Sequence, residues 1–414
     1  MTPVVPLPLT TDTPPADRPA ILDVHPDDLK FWFEERRQPP MRAKQVRRQL
    51  LAARATAFAD MTDLPKGLRE DLTEHFAPFG STVVKHLKAG DDTHKLLVRL
   101  ADGKLIECVL IQNDGRATAC VSTQVGCGMG CVFCASGLNG VARNLTAGEI
   151  VEQLVLLRNL TDANTTREDR APRLTHIVVM GMGEPLANLE NLLEALAVAG
   201  DKDGLGIGQR HVTISTVGLP AKIRRLADSG KQYHLAVSLH AANDELRNRI
   251  VPTNAQTGIA DILAAADYFF ETTGRQVTYE YVVLGKLNDQ PDHAYELVSL
   301  LRGRKAFVNL IPWNDVAGLT YRRPTDGDLR GFIDTLREGG VSVQVRRRKG
   351  ADIDAACGQL RREAEGRGQQ AGDRGQEAGS GRQGTGDRRQ EEEDGGTSPT
   401  LPPLTTDPAQ LPTP

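Results

Sequence analysis

The sequence has no stretch apolar enough to span a bilayer. Its first twenty residues, MTPVVPLPLTTDTPPADRPA, hold neither a basic region ahead of an apolar core nor a small-residue cleavage site. These absences predict a cytoplasmic protein with no membrane partner. Cysteine is too sparse for a disulfide framework: six occur in 414 residues, and four of them crowd between Cys120 and Cys134. That crowding predicts reduced thiols kept for a metal or for catalysis. Apolar residues are scarce at both ends. Residues 1–28 are rich in Pro, Thr and Asp, and the region from 365 onward is a degraded polar repeat (QQAGDRG, RQGTGDRRQ), so neither end offsets the entropy of ordering. Disorder is expected for an arm at 1–28 and for a low-complexity tail at 363–414.

The body that remains, in a chain with 39% hydrophobic and 25% charged residues, suits a large globular domain plus a smaller one. Each end carries a net charge of −4, which leaves residues 29–364 at +4 within a chain of −4 overall. A mildly basic body permits a polyanionic partner without demanding one.

Apolar residues at helical spacing (Val46, Leu50, Leu51; Leu64, Leu68, Leu72), broken near Ala57 and by Pro65, predict a small helical module over 29–83. The alternating runs HKLLVRL and LIECVLI, joined through Asp102-Gly103, predict a β-hairpin extension within 84–115. Over 116–362 six β-like runs, ATACVST, LTHIVVM, HVTIST, HLAVSLH, VTYEYVVL and AFVNLIP, alternate with helical stretches. Thr146 and Glu149 form a capping box, and Leu189, Leu192, Leu193 and Leu196 share one helix face. The class expected is α/β, an incomplete (β/α)6 TIM-like barrel, with an open doubly wound sheet as the competing architecture.

The chemistry starts at Cys127-Gly-Met-Gly-Cys131-Val-Phe-Cys134, just after the first expected strand and so on the active-site face of such a barrel. Three thiolates at this spacing suit three irons of a cubane cluster. No fourth Cys or His lies near to complete a structural zinc site, and the iron left open suits the amino and carboxylate groups of S-adenosylmethionine. The spacing resembles the radical S-adenosylmethionine superfamily, with Phe133 as the aromatic before the last ligand. Gly181-Met182-Gly183-Glu184-Pro185 is similar to its Gly-Glu segment. Ser215, Ser238-Leu239-His240 and Asn314 fall at other strand ends on the same rim, whereas His94 and His211 read as ordinary strand or surface residues.

Two cysteines are surplus to a cluster. Cys120 is on the first strand; Cys357 lies in GADIDAACGQL after Arg346-Arg347-Arg348-Lys349, a setting that predicts an exposed nucleophile with a favoured thiolate. The segments RATACVSTQVGCGMGCVFCASG, VVMGMGEPLANL, VTISTVGLP, AVSLHAANDELRNRIVP, NLIPWN and GADIDAACGQL, together with MRAKQVRRQL and FADMTDLPKGLRE, resemble the RlmN-type RNA adenine C2-methyltransferases and the related Cfr-type C8 enzymes. The resemblance runs from about Leu29 to Arg362. It implies a radical SAM barrel with one [4Fe–4S] cluster on Cys127, Cys131 and Cys134, and two S-adenosylmethionine molecules per turnover. Gly183, Glu184, Ser215, Ser238, Leu239, His240 and Asn314 would contact S-adenosylmethionine. Cys357 would carry the methyl as S-methylcysteine, Glu107 would accept the proton, and Cys120 would resolve the adduct through a transient disulfide. Carbon 2 of adenine is electron-poor and does not attack a sulfonium methyl, so a radical route is also a chemical necessity.

The implied substrates are an adenosine in the peptidyl transferase region of 23S rRNA and the adenosine 3′ of the anticodon in tRNA. A reductase or flavodoxin-type electron donor and a monomeric state go with them. A base must leave its stack to reach a barrel mouth, which favours loop targets. Arg346 to Lys349 and Arg42, Lys44, Arg47 and Arg48 are candidate RNA contacts, the latter group reading equally as a solvated helix face. Glu107 also reads as an exposed acid on a hairpin, and Cys108 as a strand residue. The competing functions are C8 methylation and a non-catalytic, metal-stabilised RNA-binding module, which leaves Cys120 and Cys357 without a purpose.

Overall fold

The computed structural model describes residues 17–113, 115–161, 173–346 and 348–360. Residues 1–365 form one unit and 366–414 another, and every described residue belongs to the first. Three helices open it: α1 (Pro26–Glu35), α2 (Met41–Leu51) and α3 (Lys66–His75). Each turns a few apolar side chains inward, among them Phe33, Val46, Leu50, Leu68 and Leu72. A side chain of that size gains about 1.5–3 kcal/mol from full burial. Order starts earlier than expected. Residues 17–28, assigned by composition to a disordered arm, include the buried Ile21 and Leu22, a bridge from Ala20 to Ala77, and the first turn of α1. The expectations for residues 1–16 and for the tail lie outside the described residues.

Strands β1 (Ser81–Lys88), β2 (Thr93–Leu100), β3 (Leu105–Asn113) and β4 (Arg116–Cys120) pair in antiparallel succession. The Asp102-Gly103 turn joins β2 to β3 as expected, with Gly103 at a φ of 80°. The hairpin gains a third strand, β1, whose sequence STVVKHLK has a weak alternation that hides it. Beyond β4 the sheet becomes parallel through β7 (His176–Val179), β8 (Val212–Thr216), β9 (His234–Ser238), β10 (Val277–Val283), β11 (Ala306–Pro312) and β12 (Ser342–Val345). All six expected strands are present. The seventh, β12, is a four-residue edge strand whose side chains stay exposed or half-buried, so SVQV reads as a loop in sequence. Among the described residues strands β1 and β12 are the two edges of a ten-stranded sheet, an open arrangement consistent with an incomplete barrel.

Helices α4 (Ala147–Asn159), α5 (Leu189–Gly200), α6 (Pro220–Asp228), α7 (Asp244–Ile250), α8 (Ile259–Thr273), α9 (Pro291–Leu301) and α10 (Asp326–Glu338) make the crossovers. The capping box at Thr146 and Glu149 is formed at the start of α4. Almost every α4 side chain is buried, because this helix lies between the sheet and the opening helices. Its polar groups act as bolts. Arg158 donates to the Leu50 and Leu51 carbonyls at the end of α2, Glu152 accepts from Gly80 N and Ser81 Oγ, and Asp23 accepts from Gly148 N. One apolar core runs from Phe33 and Leu72 through Leu154 to Ile177 and Leu310. A second cluster, including Phe133, Ile250, Val282 and Trp313, closes the cysteine-bearing end.

Candidate active site

The cysteine loop hangs between β5 (Gln124–Gly126) and β6 (Val141–Asn144), a short antiparallel pair. Backbone bonds fix its course: Cys127 N to Gly140 O at 3.0 Å, Val132 N to Ile250 O at 3.1 Å and Ala135 N to Gly358 O at 2.8 Å. The Trp313 indole adds a bond to Phe133 O at 3.2 Å. Cys127, Cys131 and Cys134 all line one cavity of about 840 Å³ of empty space, its mouth included. Among the described residues no three His, Cys, Asp or Glu side chains converge on a point that one metal ion could occupy. A cubane cluster asks something different, since each thiolate meets its own iron, and an all-sulfur donor set suits iron–sulfur chemistry. Burial pushes the Cys127 thiol up to about 12 and raises the other two, so the thiolates rely on a cationic metal centre for their charge.

The Gly-Met-Gly-Glu turn forms the next wall. It crosses the chain just after β4 so closely that glycine is required: a Cβ on Gly181 would meet Ser122 Oγ at 2.6 Å, and one on Gly183, at a φ of 106°, would meet Gln124 at 2.7 Å. Ser122 Oγ accepts from Met182 N and donates to Glu107 O. Glu184 is thereby held in the cavity wall, accepting from Val217 N at 2.9 Å and Leu186 N at 3.0 Å. Burial raises its pKa, and those two N–H groups oppose the rise.

Ser215, Ser238, His240 and Asn314 line the same cavity, at the ends of β8, β9 and β11. One cavity touched by residues from β7 to the end of β12 means that the parallel strands curl around it. Burial, reinforced by the charge of Arg247, pulls His240 down to about 3. Its Nδ1 accepts from Val282 N, so the neutral ring carries its proton on Nε2. Asn314 Nδ2 donates to Cys357 O at 3.2 Å, while its Oδ1 is buried without a hydrogen-bond partner among the described residues. Leu239 lies between these residues in sequence. It is fully buried, gives its N–H to Glu280 O and its carbonyl to Arg247, and so backs the cavity rather than lining it.

One lining residue was missed in sequence, and a second was named there only as a candidate RNA contact. Glu280, on β10, accepts from Ser215 Oγ at 3.2 Å and faces Arg346 Nη1 at 3.8 Å. An acid inside the apolar run VTYEYVV was the available signal, because a strand does not bury a carboxylate without a use for it. Arg346 follows β12, the unforeseen strand. It turns inward to line the cavity. Of the other basic candidates, Lys44 is exposed and pairs with Asp203 at 2.5 Å at the surface, while the half-buried Arg47 donates to Val24 O.

Cys357 shares the cavity with the cysteine trio. The expected thiolate is not favoured: burial pushes the Cys357 thiol up, with Arg346 opposing and Glu280 adding to the rise. Cys120 is buried behind it, pushed up to about 12 by burial and then by neighbouring Cys357. Both thiols are free. Cys108 is a buried strand residue, as expected. Glu107 is not the exposed acid that its position on a hairpin suggests. It is buried, 2.9 Å from Lys95 Nζ, and that same ammonium donates to Asp354 O at 3.1 Å, three residues ahead of Cys357.

The fold and the cysteine cavity agree with two family models. The model for the Radical SAM superfamily matches residues 121–298, and that for the ribosomal RNA large subunit methyltransferase N-terminal domain matches residues 20–77. A probable dual-specificity RNA methyltransferase RlmN from Rhodopirellula baltica is 53% identical over 366 residues, covering 87% of this chain and 97% of that protein. The chain belongs to the RlmN family. A second RlmN relative, from Bacillus licheniformis, is 44% identical over 83% of this chain and 94% of its own length. A radical SAM methyltransferase of known structure from Sphaerobacter thermophilus superposes with a TM-score of 0.78, at 41% identity over 83% of this chain and 100% of that one. Membership of the RlmN family makes this an S-adenosylmethionine-dependent methyltransferase of the radical SAM class, with Cys127, Cys131 and Cys134 as the residues that fit its [4Fe–4S] cluster. No described helix is long and apolar enough to cross a membrane.

Proposed function

We propose that this chain methylates carbon 2 of adenosine in the peptidyl transferase region of 23S rRNA and in tRNA just 3′ of the anticodon. The observation that supports it most is the shared wall: Cys357 lines the cavity of the three cluster cysteines and lies within electrostatic reach of Cys120. One cluster per chain, with two S-adenosylmethionine molecules per turnover, supplies the methyl group and the radical chemistry. The chain's own residues do the rest. Gly183, Glu184, Ser215, Ser238, His240 and Asn314 orient the S-adenosylmethionine. Cys357 carries the methyl carbon to the base, Glu107 takes the proton from carbon 2, and Cys120 attacks the Cys357 sulfur to release the product with a disulfide left behind. The helical module and the antiparallel extension serve as the accessory region, the chain acts as a monomer, and a reductase or flavodoxin-type protein provides electrons.

The test is anaerobic incubation of the reconstituted enzyme with 23S rRNA fragments and tRNA, followed by nucleoside mass spectrometry. A methyl on C8 alone overturns the C2 assignment. Cys357→Ala should keep its cluster absorbance and transfer no methyl, and Cys120→Ala should accumulate an enzyme–RNA adduct on a denaturing gel. Full turnover by either variant removes that cysteine from its role.

A further inference from the structure

The parallel strands enter the sheet level with one another: Val277 of β10 pairs with Ala306 of β11, and Thr278 with Ala236 of β9. The loops that lead into them therefore share one rim, at the opposite end of the strands from Ser238, His240 and Asn314. Those loops, residues 229–233, 274–276 and 302–305, hold Lys231, Arg275, Arg302, Arg304 and Lys305 and no acid. Arg210, in the turn Gln209–His211 ahead of β8, adds another cation, its carbonyl 3.1 Å from His234 Nε2.

Helices α6, α8 and α9 end at this rim, and a helix C-terminus favours a cation within its last turn. That accounts for a single cation in each loop but not for the three in 302–305. Arg304 is the one member of the set in an ion pair among the described residues, with Asp267 at 3.1 Å. Arg275 Nη2 lies 3.2 Å from His234 Nδ1, and Arg210, Arg302 and Lys305 are exposed. Neighbouring acids offset little of this charge. Asp228 accepts from the Tyr268 hydroxyl at 2.7 Å and Asp203 is spent on Lys44, which leaves Glu271, in the groove wall beside Arg302 and Lys305. Cations gathered on one face without matching acids raise the local field and draw a polyanion.

We propose that this rim is a second RNA contact surface, which holds the phosphate backbone of the segments flanking the target loop while the loop itself occupies the opposite end of the strands. The inference rests on RNA being the substrate. Phosphate contacts position a nucleic acid without reading its sequence, which suits a chain proposed to act on both rRNA and tRNA. Length decides which RNAs reach it: β10 is seven residues long, so the two rims are separated by roughly 20 Å of strand at about 3.3 Å per residue. An RNA that ends at the catalytic mouth does not touch the rim, and a longer one that runs along the barrel does.

The experiment compares two labelled RNAs by anisotropy, over a series of salt concentrations, with reconstituted enzyme. One is a minimal stem-loop carrying the target adenosine; the other is a 23S rRNA fragment with the same stem-loop and its flanking helices. The triple variant Arg210→Ala, Arg302→Ala, Lys305→Ala should bind the long RNA roughly tenfold or more weakly and make its slope of log K against log salt shallower by about 2, with the minimal stem-loop and S-adenosylmethionine bound as before. Arg210→Lys with Arg302→Lys should keep the wild-type affinity and slope. Unchanged binding of the long RNA by the triple variant, while the wild type methylates it, overturns the rim and leaves the proposed function standing. Equal losses on both RNAs overturn it too, since the short one does not span the barrel. Unchanged RNA binding with a loss of flavodoxin-driven but not dithionite-driven turnover overturns it in favour of an acidic protein partner. A wild-type enzyme that binds neither RNA overturns the rim and the proposed function together.

Discussion

Replacing Lys95 by Met would cut the link between Glu107 and the Cys357 loop. Lys95 Nζ stands 2.9 Å from Glu107 Oε1 and 3.1 Å from Asp354 O, with the two side chains only 9% and 6% exposed. At that separation two unit charges attract by about 6 kcal/mol at an effective dielectric of 20, less the desolvation that both have undergone. Deleting the ammonium alone should cost about 3–5 kcal/mol, because the Glu107 carboxylate stays buried when its Lys95 partner has gone. Urea unfolding of Lys95→Met, Glu107→Gln and the double variant gives the coupling energy directly, expected at about 1–3 kcal/mol. Lys95→Arg should keep most of the stability. The functional readout follows from the bond to Asp354: Lys95→Met should slow methyl transfer to RNA while S-adenosylmethionine affinity holds. Additive single-variant effects, within about 0.3–0.5 kcal/mol, would refute the reasoning.

Gly183→Ala should weaken S-adenosylmethionine binding by at least tenfold in equilibrium dialysis with the iron content unchanged, since its Cβ would strike Gln124 at 2.7 Å from a backbone at a φ of 106°. Unaltered affinity would show that the turn does not shape the site. Glu152 provides a pH test: burial pushes its carboxyl up to about 8 from the ordinary 4.5. Because the folded value is the higher one, the stability it contributes is complete below about pH 4.5 and is lost as pH rises through 8, by at most about 5 kcal/mol. Urea midpoints should fall over that window in the wild type and flatten in Glu152→Gln, and parallel profiles would contradict the assignment.

Strand signals were legible where apolar runs were long and bounded by turns. HVTIST, HLAVSLH and VTYEYVVL each contain a strand, and Thr146 with Glu149 marks the start of α4. They failed where the pattern is short or irregular and neighbours decide: β1 and β12 are edge strands held by pairing to one partner each, the alternation of β1 being irregular and that of SVQV running over only four residues. The same division runs through the site. Cys127, Cys131 and Cys134 declare themselves by spacing, because a cluster bound by one loop leaves its geometry in the sequence. Glu280 and Arg346 do not, since they sit 66 positions apart and meet only when β10 and β12 line up on either side of β11.

The sequence by itself determined the chemistry available: a trio of thiols, a Gly-Glu turn, two surplus cysteines, and a repeating β/α pattern to carry them. Only the tertiary structure decided how those groups are charged and connected. It raised the pKa of the Cys357 thiol despite its basic neighbours, enclosed Glu107 with Lys95, and put Cys357 in the wall of the cavity that the cysteine trio lines. The physical reason is that spacing along a loop is local, whereas desolvation and ion pairing depend on what the rest of the chain brings alongside.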